Sequence, residues 1–252
     1  MGMKLPRWFH QLGSPPYVYR LAERLCPWLG ALGVTLLVVG AYWGLVIAPP
    51  DYQQGDSYRI IYIHPQTAYI GMMAYVVMAI AAGIGYIWRL KLAHAVAVSA
   101  APIGAWFTFC ALFTGAVWGR PTWGTYWQWG DPRIMFEALL LFLFLGYLAL
   151  RGAFDDRDKA DRVTAILAVV GVVNIPIVHF SVEWWNSIHQ GPTILRAGGP
   201  AMTNDMLVPF LIMVLAFTLT FYWLLLRRLQ AEIVEREGDA RWIRELVAEG
   251  AP

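Results

Sequence analysis

Residues 134–162 read IMFEALLLFLFLGYLALRGAFDDRDKADR. From Ile134 to Leu150 the only charge is Glu137, and then Arg151 opens a stretch dense in Asp, Arg and Lys. A helix of that first part would be about 26 Å long at 1.5 Å per residue, close to the ~30 Å hydrocarbon core of a bilayer. An apolar run ended so abruptly by charge marks a water boundary, so the reading is a membrane span followed by a solvated hairpin.

Outward from this stretch the pattern repeats. Apolar runs fall at roughly 28–48, 66–88, 95–118, 163–180 and 206–226, which with 134–150 makes six spans. The chain of 252 residues is 58% hydrophobic and 14% charged, against about 25% charged in a soluble domain. The expected fold class is an all-α integral membrane protein of six transmembrane helices. A leader at 1–27, the bundle at 28–226 and a tail at 227–252 complete the organisation. Leu21–Trp28 reads either as a short interfacial segment or as loosely ordered leader, and no small-residue cleavage site follows the first apolar run.

Lysine and arginine orient the chain. Lys4, Arg7, Arg20, Arg24, Arg89, Lys91, Arg151, Arg157, Lys159, Arg162, Arg227, Arg228, Arg236, Arg241 and Arg244 fall on one side. Only Arg59, Arg120, Arg133 and Arg196 fall on the other. Fifteen against four places both termini in the cytoplasm. The net charge of +2 calls for no nucleic-acid partner. The tail, with acid and base alternating at helical spacing, reads as solvated or surface-lying helix. Cys26 and Cys110 stand far apart without a CxxC pair, which excludes a disulfide framework or a thiol metal site. Gly40–Gly44 and Gly115–Gly119 have the small-xxx-small spacing of helix-packing faces.

The unusual residues gather in three outward segments, 49–65, 119–133 and 181–205. Trp123–Arg133 reads WGTYWQWGDPR. An interfacial belt accounts for Trp43, Trp88, Trp106 and Trp223. It does not require Trp118, Trp123, Trp127 and Trp129 to cluster and end in Asp131 and Arg133. If that loop is helical, Trp123 and Trp127 share a face. We read the cluster, with Trp184 and Trp185, as a binding platform for a flat apolar ligand.

His64 and His189 flank the platform on the same membrane side, whereas His10 and His94 fall on the other side and His179 at the end of span five, where packing explains it. With no cysteine or carboxylate cluster beside them, two such imidazoles suit haem iron better than zinc. Haem is flat and apolar and carries two propionates along one edge. Arg59 and Arg133 are the candidate propionate contacts, while Arg120 and Arg196 read as headgroup contacts. Glu137 and Glu183 are acids beside apolar spans, functional candidates by default, although helix-end solvation also explains them.

Three motifs in order, PPDYQQGDSYRIIYIH (49–64), WGTYWQWGD (123–131) and VNIPIVHFSVEWWNSIHQG (173–191), resemble the CcmC family of bacterial cytochrome c maturation. The resemblance runs over most of the chain except the tail. It implies a tryptophan-rich periplasmic (WWD) loop that binds haem b non-covalently, with His64 and His189 as axial ligands and Asp131 as the motif acid. It further implies location in the bacterial inner membrane and partnership with the ABC transporter subunits CcmA and CcmB, with CcmD, and with the haem chaperone CcmE. One departure is visible: Gly130 separates Trp129 from Asp131, where the family pattern runs Trp-Asp directly.

The expected function is presentation of haem at the periplasmic face to CcmE. No GxxxxGK[ST] phosphate loop occurs, so the chain reads as a scaffold rather than an enzyme. A haem permease is the alternative, although the spans hold little charge to line a path. A b-type electron-transfer subunit is the less favoured one, because it would keep its ligands within its helices.

Overall fold

The computed structural model describes residues 11, 13–191, 193–194 and 196–248. Lys4, Arg7 and His10 lie outside the described residues. Among the described residues the regular structure is helical, and the only β pairing is an isolated antiparallel bridge between Asp51 and Gly55.

Helix α1 spans Pro15–Tyr42 and runs on into a π-helical turn, Trp43–Ile47. A 3₁₀ segment at Asp56–Tyr62 leads into α2, His64–Trp88. Then follow α3 (Lys91–Trp123), α4 (Pro132–Gly152), α5 (Arg157–Gly171), α6 (Asn174–Trp184), α7 (Asn204–Arg236) and α8 (Arg241–Ala248). Six stretches are long and apolar enough to cross a membrane, and α5 with α6 together form the fifth.

Helix α1 starts earlier than the apolar run suggests. Pro27 sits within it and removes one backbone donor, yet the helix continues because its buried face lies against α7. That face is Tyr19, Ala22, Cys26, Gly30, Gly33 and Gly40. The contact is backbone-close: a β-carbon at Gly30 would stand 2.9 Å from the Trp223 ring. Leu21–Trp28 is therefore neither a separate interfacial segment nor loose leader.

Helix α2 packs most extensively on α3, and α3 in turn on α4 and α7. The core between them holds Ile70, Tyr75, Met78, Leu140, Phe144 and Phe221. The fifth span breaks at Val172–Val173, immediately ahead of Asn174, whose side chain donates to the Phe136 carbonyl at 3.0 Å. Before the break α5 leans on α2; after it α6 leans on α4.

The charged hairpin and tail are less solvated than their composition suggests. Asp161 is 3% exposed, paired with Arg151 of α4 at 2.5 Å and Arg236 of α7 at 2.8 Å. Glu232 closes the network on Arg236 at 2.6 Å and on Arg151 at 3.4 Å. The network clamps α4, α5 and α7 at one end of the bundle. Beyond α7 the chain turns back, and Trp242 packs edge-on against Tyr19 at 5.7 Å. Cys26 is buried with its Sγ 3.9 Å from Gln230, and both cysteines are free.

Candidate functional site

The opposite end of the bundle encloses a cavity of about 440 Å³. Its walls come from α2, α3, α4, α6, the segment 125–128 and the loop after Trp185. Such a volume with mostly apolar walls and a few convergent polar groups suits a bound small molecule or cofactor.

His64 is the first residue of α2, with Pro65 preset for the helix start. Its Nδ1 lies 3.1 Å from both the Ala111 carbonyl oxygen and the Thr114 hydroxyl. Nδ1–H donation to these acceptors leaves the Nε2 lone pair unspent. Gly115 backs the ring, and Trp118 meets it edge-on at 5.7 Å. Trp118 is itself fixed, its Nε1 donating to Gln54 Oε1 at 2.8 Å. A satellite core of Tyr58, Ile61, Tyr62, Met206, Phe210 and Met213 supports it from behind.

His189 sits in the loop after α6, and its position is set by Asp131. The Asp131 side chain caps α4 by accepting from the Ile134 N–H at 3.1 Å. Its other oxygen accepts from Ser187 Oγ at 2.7 Å and the Ile188 N–H at 2.9 Å. The His189 Nδ1 lies 3.2 Å from Asp131 Oδ1, again leaving Nε2 for the cavity. Trp123 packs 4.8 Å from the His189 ring. Burial holds the His189 imidazole below its ordinary pKa, against the opposing pull of Asp131. Burial alone would raise the Asp131 carboxyl, but the bonds from Ser187, Ile134 and Ile188 outweigh it and hold it below its ordinary value.

The structure thus brings His64, His189, Trp118, Trp123, Trp127 and Arg133 together around one cavity. Helix α3 extends to Trp123, where Gly124 ends it in the left-handed conformation (φ 78°) that glycine tolerates best. Residues 124–131 are not helical, so Trp123 and Trp127 do not share a helix face as the spacing suggested. They meet at the cavity because the chain reverses between them. Arg133, in the first turn of α4, donates to the Val178 carbonyl at 2.9 Å.

Other sequence candidates lie off the wall. Trp129 is 79% exposed and only meets Trp127 edge-on. Trp184 stacks on Phe180, and Trp185 tilts against Phe136. Arg59 is engaged by Asp56 at 2.9 Å and the Gly44 carbonyl at 3.1 Å. Arg120 bonds the Gly124 carbonyl and lies over the Tyr126 ring. Conversely, His179 and Glu183 line the cavity, as does Glu137, which is 5% exposed. Neither Glu137 carboxyl oxygen has a partner among the described residues.

Gln54, Thr114 and Ser187 went unnoticed in the sequence. Only Ser187 carried a local signal, standing two residues before His189. Gly115 and Gly119 also act differently from their spacing: Gly115 clears room for the His64 ring, and Gly119 for the Thr125 carbonyl and the Trp123 ring, rather than for a neighbouring helix.

A family model described as CcmC, heme exporter protein C, matches residues 8–244. The chain belongs to the CcmC family. Heme exporter protein C of Haemophilus influenzae is 44% identical over 240 residues, covering 95% of this chain and 97% of the relative. The Escherichia coli K12 protein of the same name is 46% identical over 239 residues, covering 94% and 96%. A ccmC-like mitochondrial protein of cytochrome c biosynthesis from Marchantia polymorpha is 38% identical over 196 residues, covering 77% and 82%. With six apolar spans and this family membership, the chain is a multi-pass membrane protein.

The donor set fits a bis-histidine iron site. Two imidazoles with Nδ1 engaged and Nε2 unspent face an apolar cavity. The Trp127 Nε1 and both Glu137 oxygens lack protein partners among the described residues. No group of three or more His, Cys, Asp or Glu among the described residues is arranged for a compact metal site.

Proposed function

We propose that this CcmC-family chain binds haem b at the cavity and presents it for cytochrome c maturation. The names of its relatives, heme exporter protein C and a protein of cytochrome c biosynthesis, support this reading. The observation that carries it is the pair His64 and His189, each anchored through Nδ1 and both on one aromatic-walled cavity. Bonds to Nδ1 of this kind fix the tautomer and aim of a metal-binding imidazole.

The haem would supply a redox-active iron that accepts imidazole nitrogens. The protein does the rest. His64 and His189 would ligate the iron through Nε2, and Trp118, Trp123 and Trp127 would provide aromatic surface and exclude water. Arg133, which lines the cavity, would pair with a propionate, since its fork suits a carboxylate. Trp129, Trp184 and Trp185 serve as interfacial anchors rather than platform.

The surplus of lysine and arginine at the other end supports a cavity at the periplasmic face of the bacterial inner membrane, with both termini cytoplasmic. There the haem edge is offered to the chaperone CcmE, within a complex with CcmA, CcmB and CcmD. The chain itself acts as scaffold, and nucleotide hydrolysis belongs to the ATPase partner.

The test is the absorption spectrum of the detergent-purified protein loaded with hemin. A six-coordinate low-spin spectrum is expected. His64→Ala or His189→Ala should shift it toward five-coordinate or water-ligated iron, with partial recovery on added imidazole. His179→Ala should be milder. Loss of the low-spin spectrum in His179→Ala alone, with the other two unaffected, would identify a different ligand pair.

A further inference from the structure

The two imidazoles face the cavity alike, but the groups behind them differ. Behind His64 stand a backbone carbonyl and the Thr114 hydroxyl, whose own proton goes to the Cys110 carbonyl at 2.7 Å. Both are neutral acceptors. Behind His189 stands the Asp131 carboxylate, 3.2 Å away and 2% exposed. A carboxylate draws the Nδ1 proton toward itself more strongly than a carbonyl does, which makes the opposite ring nitrogen a better electron donor to a metal.

Asp131 is not free to swing away from this task. Ser187, Ile188 and Ile134 hold its two oxygens at 2.7–3.1 Å. The distance to His189 is therefore set by the fold and not by a side-chain rotamer.

We infer that Asp131 is a positioning residue that makes the axial ligands unequal, with His189 the stronger donor and His64 the weaker. Donation from His189 favours ferric over ferrous iron and so lowers the reduction potential of the bound haem. This rests on the bis-histidine reading proposed above.

Asp131→Asn separates this role from helix capping. Asparagine caps helices as well as aspartate does, so the Ile134 contact survives, but the amide cannot act as a charged acceptor for Nδ1–H. The experiment is a spectroelectrochemical titration of hemin-loaded, full-length protein in detergent. The Asp131→Asn midpoint should rise by about 59 mV, the one-electron equivalent of a tenfold change. In ferrous His64→Ala protein, where only His189 remains, adding Asp131→Asn should lower the iron–histidine stretching frequency. In ferrous His189→Ala protein the same change should leave that frequency where it was.

Should Asp131→Asn fail to accumulate, Ser187→Ala tests the same idea from the other direction. It removes a donor that competes for the carboxylate, so the midpoint should fall. A low-spin parent whose potential is unmoved by Asp131→Asn, or is unmoved or raised by Ser187→Ala, overturns the inference and leaves the ligand pair standing. A parent without a bis-histidine spectrum overturns both.

Discussion

Gly115 lies directly against the imidazole of His64: a β-carbon built on it would stand 2.9 Å from Cε1. The ring is already fixed at Nδ1 by Ala111 and Thr114 and has no slack on that side. Gly115→Ala should therefore displace His64. Overpacking of this kind costs about 1–3 kcal/mol, and we expect hemin affinity to fall by about tenfold or more, read from equilibrium titration. Gly130→Ala is the matched control, since a β-carbon there meets nothing within 4 Å, and its affinity should equal the parent's. Equal affinities in both variants would show that His64 does not need its present position.

The tryptophans divide into two groups by position. Trp123 and Trp127 line the cavity, whereas Trp184 and Trp185 do not. Each aromatic contact is worth about 0.5–1.5 kcal/mol beyond its buried area. Trp123→Ala with Trp127→Ala should thus weaken hemin binding by about 5- to 150-fold, at unchanged protein abundance. Trp184→Ala with Trp185→Ala should leave the dissociation constant within twofold. A reversal of that order would return the platform to the outer pair.

Much of this was legible in the chain and some was not, for physical reasons. The six spans followed from apolar length alone, and His64 and His189, singled out in two separate segments, do line the same cavity. Which tryptophans line the cavity was not legible, because belt and platform use the same residue for the same amphipathic reason. The helical reading of 123–127 failed on Gly124, whose left-handed backbone ends α3 at Trp123. The burial of Asp161 was hidden because its partners are supplied by α4 and α7, 10 and 75 positions away. The part played by Asp131 was likewise hidden, since its contacts to Ser187 and Ile188 cross 56 and 57 positions.

Acid should release haem only late. Burial keeps His189 below its ordinary histidine pKa of 6.5, so its proton returns only at a pH lower than that, and iron competes for the same nitrogen. The low-spin spectrum is therefore expected to hold unchanged from pH 8 down to 6.5 and to fade below. A midpoint at or above 6.5 would contradict the burial of this ring. The same sign applies to stability: the unfolded chain binds this proton more readily, so folding weakens as pH falls through that range.

The charged clamp at the far end predicts a separable phenotype. Asp161→Ala would leave Arg151 and Arg236, 17% and 11% exposed, with Glu232 as their remaining anion. Breaking a buried ion pair from one side costs about 3–5 kcal/mol. We expect a lower thermal unfolding midpoint in detergent, with the hemin spectrum of the folded fraction unchanged. A changed spectrum at unchanged stability would mean that the clamp communicates with the cavity.

The loop that carries His189 is fastened to the helices chiefly at Asp131, whereas His64 is part of α2 itself. Segments joined to a fold by few contacts open locally at far lower free energy than the core. Amide protons at Ile188 and His189 should consequently exchange with solvent long before those of α2, by sub-global opening rather than unfolding. A ligand bound through both histidines would close that difference, slowing exchange in the loop by the factor by which its concentration exceeds the dissociation constant. Residence time of the cargo and breathing of this one loop are then two readings of a single equilibrium.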